Sequence, residues 1–216
     1  MIFLIDIDGT LLLTGGAGFV ALNQTFVDLY GLADAMRGIH PQGKTDPVIV
    51  QEAFRVRFER DPTEAELQRV LARYVTLLPD AVAQSPGFRV LAGAAAGLDR
   101  LAAQGHALGL ATGNVREGAR IKLERAGFWS RFGFGGYGDD SADRATLVKR
   151  AAERGAAQLG QPLQPSRVVV VGDTPLDVAA ARENGFQAIA VASGTVPREA
   201  LAESAPDRLV QRLDEI

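Results

Sequence analysis

The chain has 216 residues, of which 47% are apolar and 23% are charged, and its formal net charge is −3. This length and composition are typical of a folded globular protein with one large domain, or a core domain with an insertion, and they exclude a disordered chain. The dispersed charges argue against a nucleic-acid or membrane surface, and the absence of cysteine excludes disulfides, thiolate metal sites and a cysteine nucleophile.

The first element is a short buried strand at residues 2–5, which are all apolar and rich in β-branched side chains. Asp6 and Asp8 interrupt the apolar segment, and no basic leader precedes it. We therefore expect neither a secretory signal nor a membrane span, and we expect a cytoplasmic protein.

The next region, residues 15–88, has helical periodicity and no clear strand. Helices are predicted at residues 19–30, 47–58 and 63–78. Thr14-Gly15-Gly16 and Ser85-Pro86-Gly87 flank the region and suit a two-stranded hinge. We expect residues 15–88 to form an inserted, all-helical cap subdomain, with residues 1–14 and 89–216 as the core.

The remainder of the chain alternates between strands and helices. Strands are predicted at residues 106–111, 132–137, 167–171 and 188–191 and near Leu209, and helices at residues 91–104, 115–126, 145–159 and 175–184. This alternation predicts an α/β fold in which a doubly wound, mostly parallel sheet is covered by helices on both faces.

Polar groups follow three of the predicted strands. Asp6 and Asp8 follow the first strand, Thr112-Gly113-Asn114 follows the second, and Asp173 and Asp177 follow the strand at residues 167–171. Ligands of open parallel sheets bind beyond the carboxyl ends of the strands, so these groups are expected to meet in one crevice. Four acids in one place repel each other unless a cation or protons relieve them, and an all-oxygen ligand set favours Mg²⁺ over zinc.

A carboxylate beside Mg²⁺ suggests phosphoryl transfer. Asp6 is the candidate nucleophile, which would form an aspartyl phosphate, and Asp8 is the candidate acid and base. The Thr112 hydroxyl, the Gly113 backbone N–H and the Asn114 amide are suitable donors to the phosphate oxygens. They also precede a helix N-terminus, which favours anions.

These three motifs, DIDGT at residues 6–10, TGN at 112–114 and GDTPLD at 172–177, together resemble the haloacid dehalogenase-like (HAD) superfamily of phosphohydrolases. Within it the chain looks most like the phosphoglycolate phosphatase-type members, which carry a helical cap on a Rossmann-like core. The resemblance implies that Mg²⁺ is held by the Asp6 carboxylate, the Asp8 backbone carbonyl and Asp173, with support from Asp177. It implies a hydrolase acting on a small phosphorylated metabolite.

One position departs from the family pattern, which has a lysine before the helix that is predicted to begin near residue 145. Arg144 fits the position and offers a permanent cation, and Lys149 is the alternative. Lys122 is expected to lie too deep in its own helix to reach the site. In the cap, Lys44 within Gly43-Lys44-Thr45-Asp46 is a candidate to meet a phosphate or carboxylate when the cap closes.

The sequence leaves several functions open. The leading hypothesis is a Mg²⁺-dependent phosphatase, and the alternatives are a phosphomutase of the same superfamily and a phosphate-binding regulatory protein without turnover. A dehalogenase is disfavoured because it has no use for a second acid at Asp8 or for a metal. The chain is expected to be a monomer or a small homo-oligomer.

Overall fold

The computed structural model describes residues 1–216. The strands are β1 (Ile2–Ile5), β2 (Leu12–Thr14), β3 (Phe88–Val90), β4 (Ala107–Ala111), β5 (Phe134–Gly136), β6 (Val168–Gly172), β7 (Gln187–Val191) and β8 (Arg208–Val210). The helices are α1 (Ala17–Tyr30), α2 (Asp46–Phe58), α3 (Glu64–Gln84), α4 (Ala94–Ala103), α5 (Arg116–Arg125), α6 (Arg144–Gln158), α7 (Pro175–Glu183) and α8 (Arg198–Glu203). None of the helices combines the length and the apolarity that crossing a bilayer requires.

Six strands form one parallel sheet in the order β5-β4-β1-β6-β7-β8. The central strand β1 pairs with both β4 and β6, and Ile5 is in register with Leu110 on one side and Val171 on the other. Because β4 and β6 lie on opposite sides of β1, the sheet is doubly wound. The predicted α/β fold class is confirmed.

Helices cover both faces of this sheet, which explains why its inner strands are apolar throughout. On one face Phe3 and Ile5 share a core with α4 and α5, and on the other face Leu4 shares a core with α6 and α7. Successive side chains of a strand point to opposite faces, so a strand buried on both sides has no polar positions.

Helices α1, α2 and α3 share a separate core, whose largest members include Phe26, Phe54 and Tyr74. Helix α3 begins with a capping box in which Thr63 and Glu66 satisfy each other's backbone N–H groups. It continues to Gln84, past the predicted end at residue 78. Pro79 removes one backbone donor from the helix, and burial of Leu78 and Val82 beside it offsets that loss.

Two short elements were not expected from the sequence. Strands β2 and β3 form a two-stranded antiparallel sheet with Leu13 opposite Arg89, and the Ser85 hydroxyl donates to the Thr14 carbonyl at 2.7 Å. This small sheet joins the parallel sheet to the helices α1–α3. The other element is α8, a helix of six residues between β7 and β8.

Candidate active site

A cleft of about 390 Å³ lies between the carboxyl ends of the sheet strands and the helices α1–α3. Its wall on the sheet side contains the polar groups that follow β1, β4 and β6, and its opposite wall contains residues of α1, α2 and α3. The crevice expected from the three sequence motifs is therefore present, and it is closed over by helical residues.

Three buried carboxylates meet at the base of this cleft. Oxygens of Asp6, Asp173 and Asp177 all lie within 4.8 Å of one another. The Thr10 hydroxyl donates to Asp173 Oδ1 at 3.2 Å. Gly9 has φ +88°, and a Cβ atom there would overlap the Asp173 carboxylate, so this close approach requires glycine.

Burial and neighbouring acids raise the pKa values of Asp6 and Asp173. Burial raises the pKa of Asp6 to about 7; the Arg144 charge opposes the rise, and the Asp177 and Asp8 charges add to it. Burial also raises the pKa of Asp173 to about 8, with Asp6 and Asp177 as the next causes. A hard divalent cation relieves this repulsion, and the donors here are oxygens, so the residues fit a magnesium ion.

Arg144, the first residue of α6, is the cation nearest to these acids. Its Nη2 lies 2.5 Å from Asp177 Oδ1 and 3.3 Å from Asp6 Oδ1, and its Nη1 donates to the Gly43 carbonyl at 3.1 Å. One guanidinium thus contacts two acids and the backbone of the opposite wall, which a single ammonium group cannot do in the same way. Lys149 is exposed on α6 and does not line the cleft.

Lys122 also reaches the cleft, and the expectation that it lies too deep in its helix was wrong. Its Nζ lies 2.7 Å from Asp8 Oδ2 and 2.5 Å from Asn114 Oδ1, and the residue is only 5% exposed. Side chains of a helix lean toward its N-terminus, and a lysine has four methylene groups. Lys122 therefore reaches from α5 toward its N-terminus and meets the side chains of Asn114 and Asp8 there.

The loop after β4 carries the other polar groups. The Asn114 amide donates to Asp8 Oδ2 at 2.8 Å and to the Thr112 hydroxyl at 2.8 Å. Thr112, Gly113 and Asn114 all line the cleft directly before α5 begins. The structure brings these three predicted residues together with Asp6 and Asp8.

The first residue of α2, Asp46, is tied to the sheet side of the cleft. The Asp46 backbone N–H donates to the Gly113 carbonyl at 2.7 Å, and Asp46 Oδ2 accepts from the Val115 N–H at 2.9 Å. Burial raises the pKa of Asp46 to about 6, although the Lys122 charge and the Val115 N–H oppose the rise. Lys44 lines the cleft, but its Nζ pairs with Glu52 at 2.7 Å.

Four residues of this site were not identified as such from the sequence: Thr10, Asp46, Tyr74 and Lys122. Thr10 is the last residue of the DIDGT motif, so the sequence could have identified it as a residue of the site. Tyr74 stands in a helical segment with ordinary spacing, and Asp46 belongs to the segment at 43–46 in which only Lys44 was given a role, so only the fold shows that both residues face the cleft.

Comparisons with known proteins agree with this geometry. The sequence model of the family described as haloacid dehalogenase-like hydrolase matches residues 3–182. The chain is 27% identical over 213 residues to the probable phosphatase IndB of Dickeya dadantii, covering 98% of this chain and 89% of that protein. It is 32% identical over 143 residues to the phosphoglycolate phosphatase of Synechococcus elongatus, covering 66% of this chain and 63% of that protein.

Solved structures share the whole fold. CbbY from Rhodobacter sphaeroides, in complex with phosphate, superposes with a TM-score of 0.77 at 21% identity, over 100% of this chain and 96% of that one. A predicted phosphoglycolate phosphatase from Haemophilus somnus gives a TM-score of 0.74 at 20% identity, over 99% and 95% of the two chains. At these identities the likeness concerns the fold.

Proposed function

Because this chain belongs to the haloacid dehalogenase-like hydrolase family, we propose that it is a Mg²⁺-dependent phosphatase that hydrolyses a small phosphomonoester through an aspartyl phosphate on Asp6. The observation that carries the proposal is the group of three carboxylates from β1, β6 and α7 within 4.8 Å of one another, at the base of a closed cleft. The similarity to two phosphatases supports the reaction class.

In the first step an Asp6 carboxylate oxygen attacks phosphorus, and the bond between phosphorus and the ester oxygen breaks. The protonated Asp8 carboxyl gives its proton to the departing alkoxide, which leaves as an alcohol. In the second step Asp8 takes a proton from water, the water oxygen bonds to phosphorus, and the bond to Asp6 breaks. Inorganic phosphate is released and Asp6 and Asp8 return to their starting states.

The residues that would hold Mg²⁺ are the Asp6 and Asp173 carboxylates and the Asp8 backbone carbonyl, with Asp177 in a supporting position. When bound, the ion neutralises charge on the phosphoryl oxygens. Asp177 also accepts from the Thr174 hydroxyl at 2.7 Å and from Arg144, so its carboxylate is held in place from two sides.

The transferring phosphoryl group also needs donors from the protein. We assign this role to the Thr112 hydroxyl, the Gly113 N–H and the Asn114 amide, and we assign the balancing positive charge to Arg144. The Lys122 ammonium donates to Asp8 Oδ2 and to Asn114 Oδ1 and thereby fixes the positions of both side chains. The phosphoryl oxygens would thus lie among groups that already have fixed positions, which is the main requirement for this reaction.

Residues 15–88 would act as the cap, and residues 1–14 and 89–216 as the catalytic core. The Asp46 and Gly43 contacts with Gly113 and Arg144 hold the cap against the core. A closed cap excludes water from the first step. Lys44 would meet the substrate only if its pair with Glu52 opens.

The test measures hydrolysis of p-nitrophenyl phosphate by wild type, Asp6→Asn and Asp8→Asn, with Mg²⁺ and with a chelator. We expect activity only with Mg²⁺, and loss to background in Asp6→Asn. Asp80→Asn is the matched control, because Asp80 is exposed on α3 and contacts no other charged group.

Mass spectrometry of the quenched protein should find a phosphoryl group on wild type and none on Asp6→Asn. Full activity of Asp6→Asn, or full activity in chelator, contradicts the mechanism. A requirement for an added sugar bisphosphate would instead identify a phosphomutase.

A further inference from the structure

The loop after β7, residues 192–195, is a fourth loop at the carboxyl edge of the sheet and lies outside the three sequence motifs; we call it the β7 loop. Its first residue is tied to the chain around β8. The Ala192 N–H donates to the Val210 carbonyl at 2.9 Å, and the Gln211 side chain donates to the Ala192 carbonyl at 2.6 Å. Its last residue, Thr195, lines the cleft. The β7 loop therefore runs from a fixed strand end into the site.

The β7 loop is joined to the loop after β1 across the end of the strand between them. Strand β6, which Asp173 follows, lies between β1 and β7 in the sheet. The Ser193 hydroxyl donates to the Gly9 carbonyl at 2.8 Å and so connects the loops of the two flanking strands. Asp173 lies under this connection and is only 4% exposed.

Two glycines leave room for the Asp173 carboxylate. A Cβ atom on Gly194 would lie 1.8 Å from Asp173 Oδ2, and one on Gly9 would lie 2.1 Å from the same oxygen. The Thr10 hydroxyl donates to the other oxygen, Oδ1, at 3.2 Å. Backbone from two loops thus encloses the carboxylate at a distance that only glycine permits, and any side chain at either position would displace it.

We propose that Ser193 and Gly194 are positioning residues for Mg²⁺ and act through the Asp173 carboxylate. The Ser193 contact with the Gly9 carbonyl also fixes the chain next to the Asp8 carbonyl, which is another of the proposed ligands. The inference rests on the proposed phosphatase function, which assigns the ion to this group of acids, and it adds a fourth loop to that site. Replacing a residue that orients a metal ligand typically weakens metal binding by about 10- to 100-fold.

The physical need for such residues comes from the repulsion among the acids. Oxygens of Asp6, Asp173 and Asp177 lie within 4.8 Å of one another, so without the ion a free Asp173 side chain would turn away from the other two. The backbone at Gly9 and Gly194 restricts that rotation. The ligands therefore stay together before the ion arrives, and binding does not have to supply the free energy of gathering them.

The first experiment titrates the protein with MgCl₂ in a calorimeter, without substrate. Ser193→Ala should raise the Kd for Mg²⁺ about tenfold, and Ser193→Thr should recover most of the affinity because it keeps the hydroxyl. Ser204→Ala is the matched control: the Ser204 hydroxyl also donates to a backbone carbonyl, that of Leu201 at 2.6 Å, but it does not line the cleft. Its Kd should equal that of wild type. An unchanged Kd in Ser193→Ala overturns the assignment of Ser193.

A double-mutant cycle tests Gly194. Gly194→Ala should raise the Kd for Mg²⁺ about 100-fold and lower the stability of the metal-free protein to urea, because its methyl group overlaps the Asp173 carboxylate. In an Asp173→Ala background the same change should cost little stability, since the overlapping carboxylate is gone. If Gly194→Ala does not fold, the double variant should still fold. Equal losses of stability in both backgrounds, or failure of both proteins to fold, overturn the assignment of Gly194.

Hydrolysis of p-nitrophenyl phosphate at increasing Mg²⁺ separates positioning of the ion from the chemistry. Ser193→Ala should need about tenfold more Mg²⁺ for half-maximal activity, whereas kcat at saturating Mg²⁺ should change far less. A lower kcat with an unchanged Mg²⁺ requirement overturns the positioning role and leaves the phosphatase proposal intact. A wild-type protein that binds Mg²⁺ with the expected dependence on Ser193 but hydrolyses no phosphomonoester would refute the proposed function alone.

Discussion

Replacing Asp46 with asparagine is expected to stabilise the protein above pH 6 and to leave it unchanged near pH 4. Asp46, the first residue of α2, is buried, and its pKa rises from 3.8 to about 6 because burial disfavours the charge. The folded state therefore binds this proton more tightly than the unfolded state does. The free energy of unfolding of wild type consequently falls as pH rises from about 4 to about 6, and this contribution is constant above that range.

The magnitude follows from the size of the shift. A rise from 3.8 to about 6 is roughly two pKa units, which corresponds to about 3 kcal/mol at 1.36 kcal/mol per unit. The asparagine side chain keeps an oxygen that can accept from the Val115 N–H, so this hydrogen bond survives the change. The pKa of about 6 already includes the opposing Lys122 charge, so the shift itself sets the upper bound, and we expect Asp46→Asn to gain up to about 3 kcal/mol at pH 8.

Urea unfolding followed by circular dichroism at pH 4, 5, 6, 7 and 8 measures this difference. Asp80→Asn, in which an exposed carboxylate of α3 is lost, should differ from wild type by only a small amount. An Asp46→Asn protein that is less stable than wild type at pH 8 would refute the reasoning. It would mean that the ionised carboxylate is a net source of stability.

Three further predictions concern the cleft. Arg144→Ala should lower kcat by on the order of 100-fold in a phosphatase assay, and Arg144→Lys should recover part of this loss. Lys149→Ala should lower kcat far less than Arg144→Ala does. Similar losses of kcat in both alanine variants would contradict the assignment of Arg144. Gly113→Ala should lower kcat/KM by on the order of 100-fold, because the added methyl group overlaps the Lys44 carbonyl oxygen and pushes the segment before α2 away from the sheet. Wild-type kinetics of this variant would show that the contact is dispensable. Mg²⁺ at about 100 times its Kd should stabilise wild type by about 2.7 kcal/mol, which is measured as a rise in melting temperature. Asp173→Asn should show no such rise. An equal rise in melting temperature in that variant would place the ion elsewhere.

The sequence was sufficient for the family, for the fold class and for the residues that meet at the sheet edge. Its strands were recognisable because they are buried on both faces, and the predicted parallel sheet is confirmed, although its strand order was not predicted. Asp6, Thr112 and Asp173 were identifiable because each follows directly after such a strand. The roles of these residues in the reaction remain predictions.

Other features depend on distances that no local pattern encodes. Lys122 was set aside from its position in the helix alone, whereas its reach toward the N-terminus of α5 brings it to Asp8. Strands β2 and β3 have three residues each, which is too short for a period of two to be recognised. Tyr74 reads as an ordinary apolar position of α3, and only the packing of α1 against α3 shows that its hydroxyl faces the cleft.

The pairing of β2 with β3 places side by side the two chain segments that connect the parallel sheet with the helices α1–α3. A Cβ atom on Gly15 would overlap the Gly87 backbone, so the outgoing and returning segments touch at that point. A substitute loop of a few residues would therefore be long enough to bridge Thr14 and Phe88. The segment between these two points can therefore be exchanged, shortened or enlarged without moving a strand of the parallel sheet; under the proposed function, this would let evolution change the substrate while keeping the reaction chemistry.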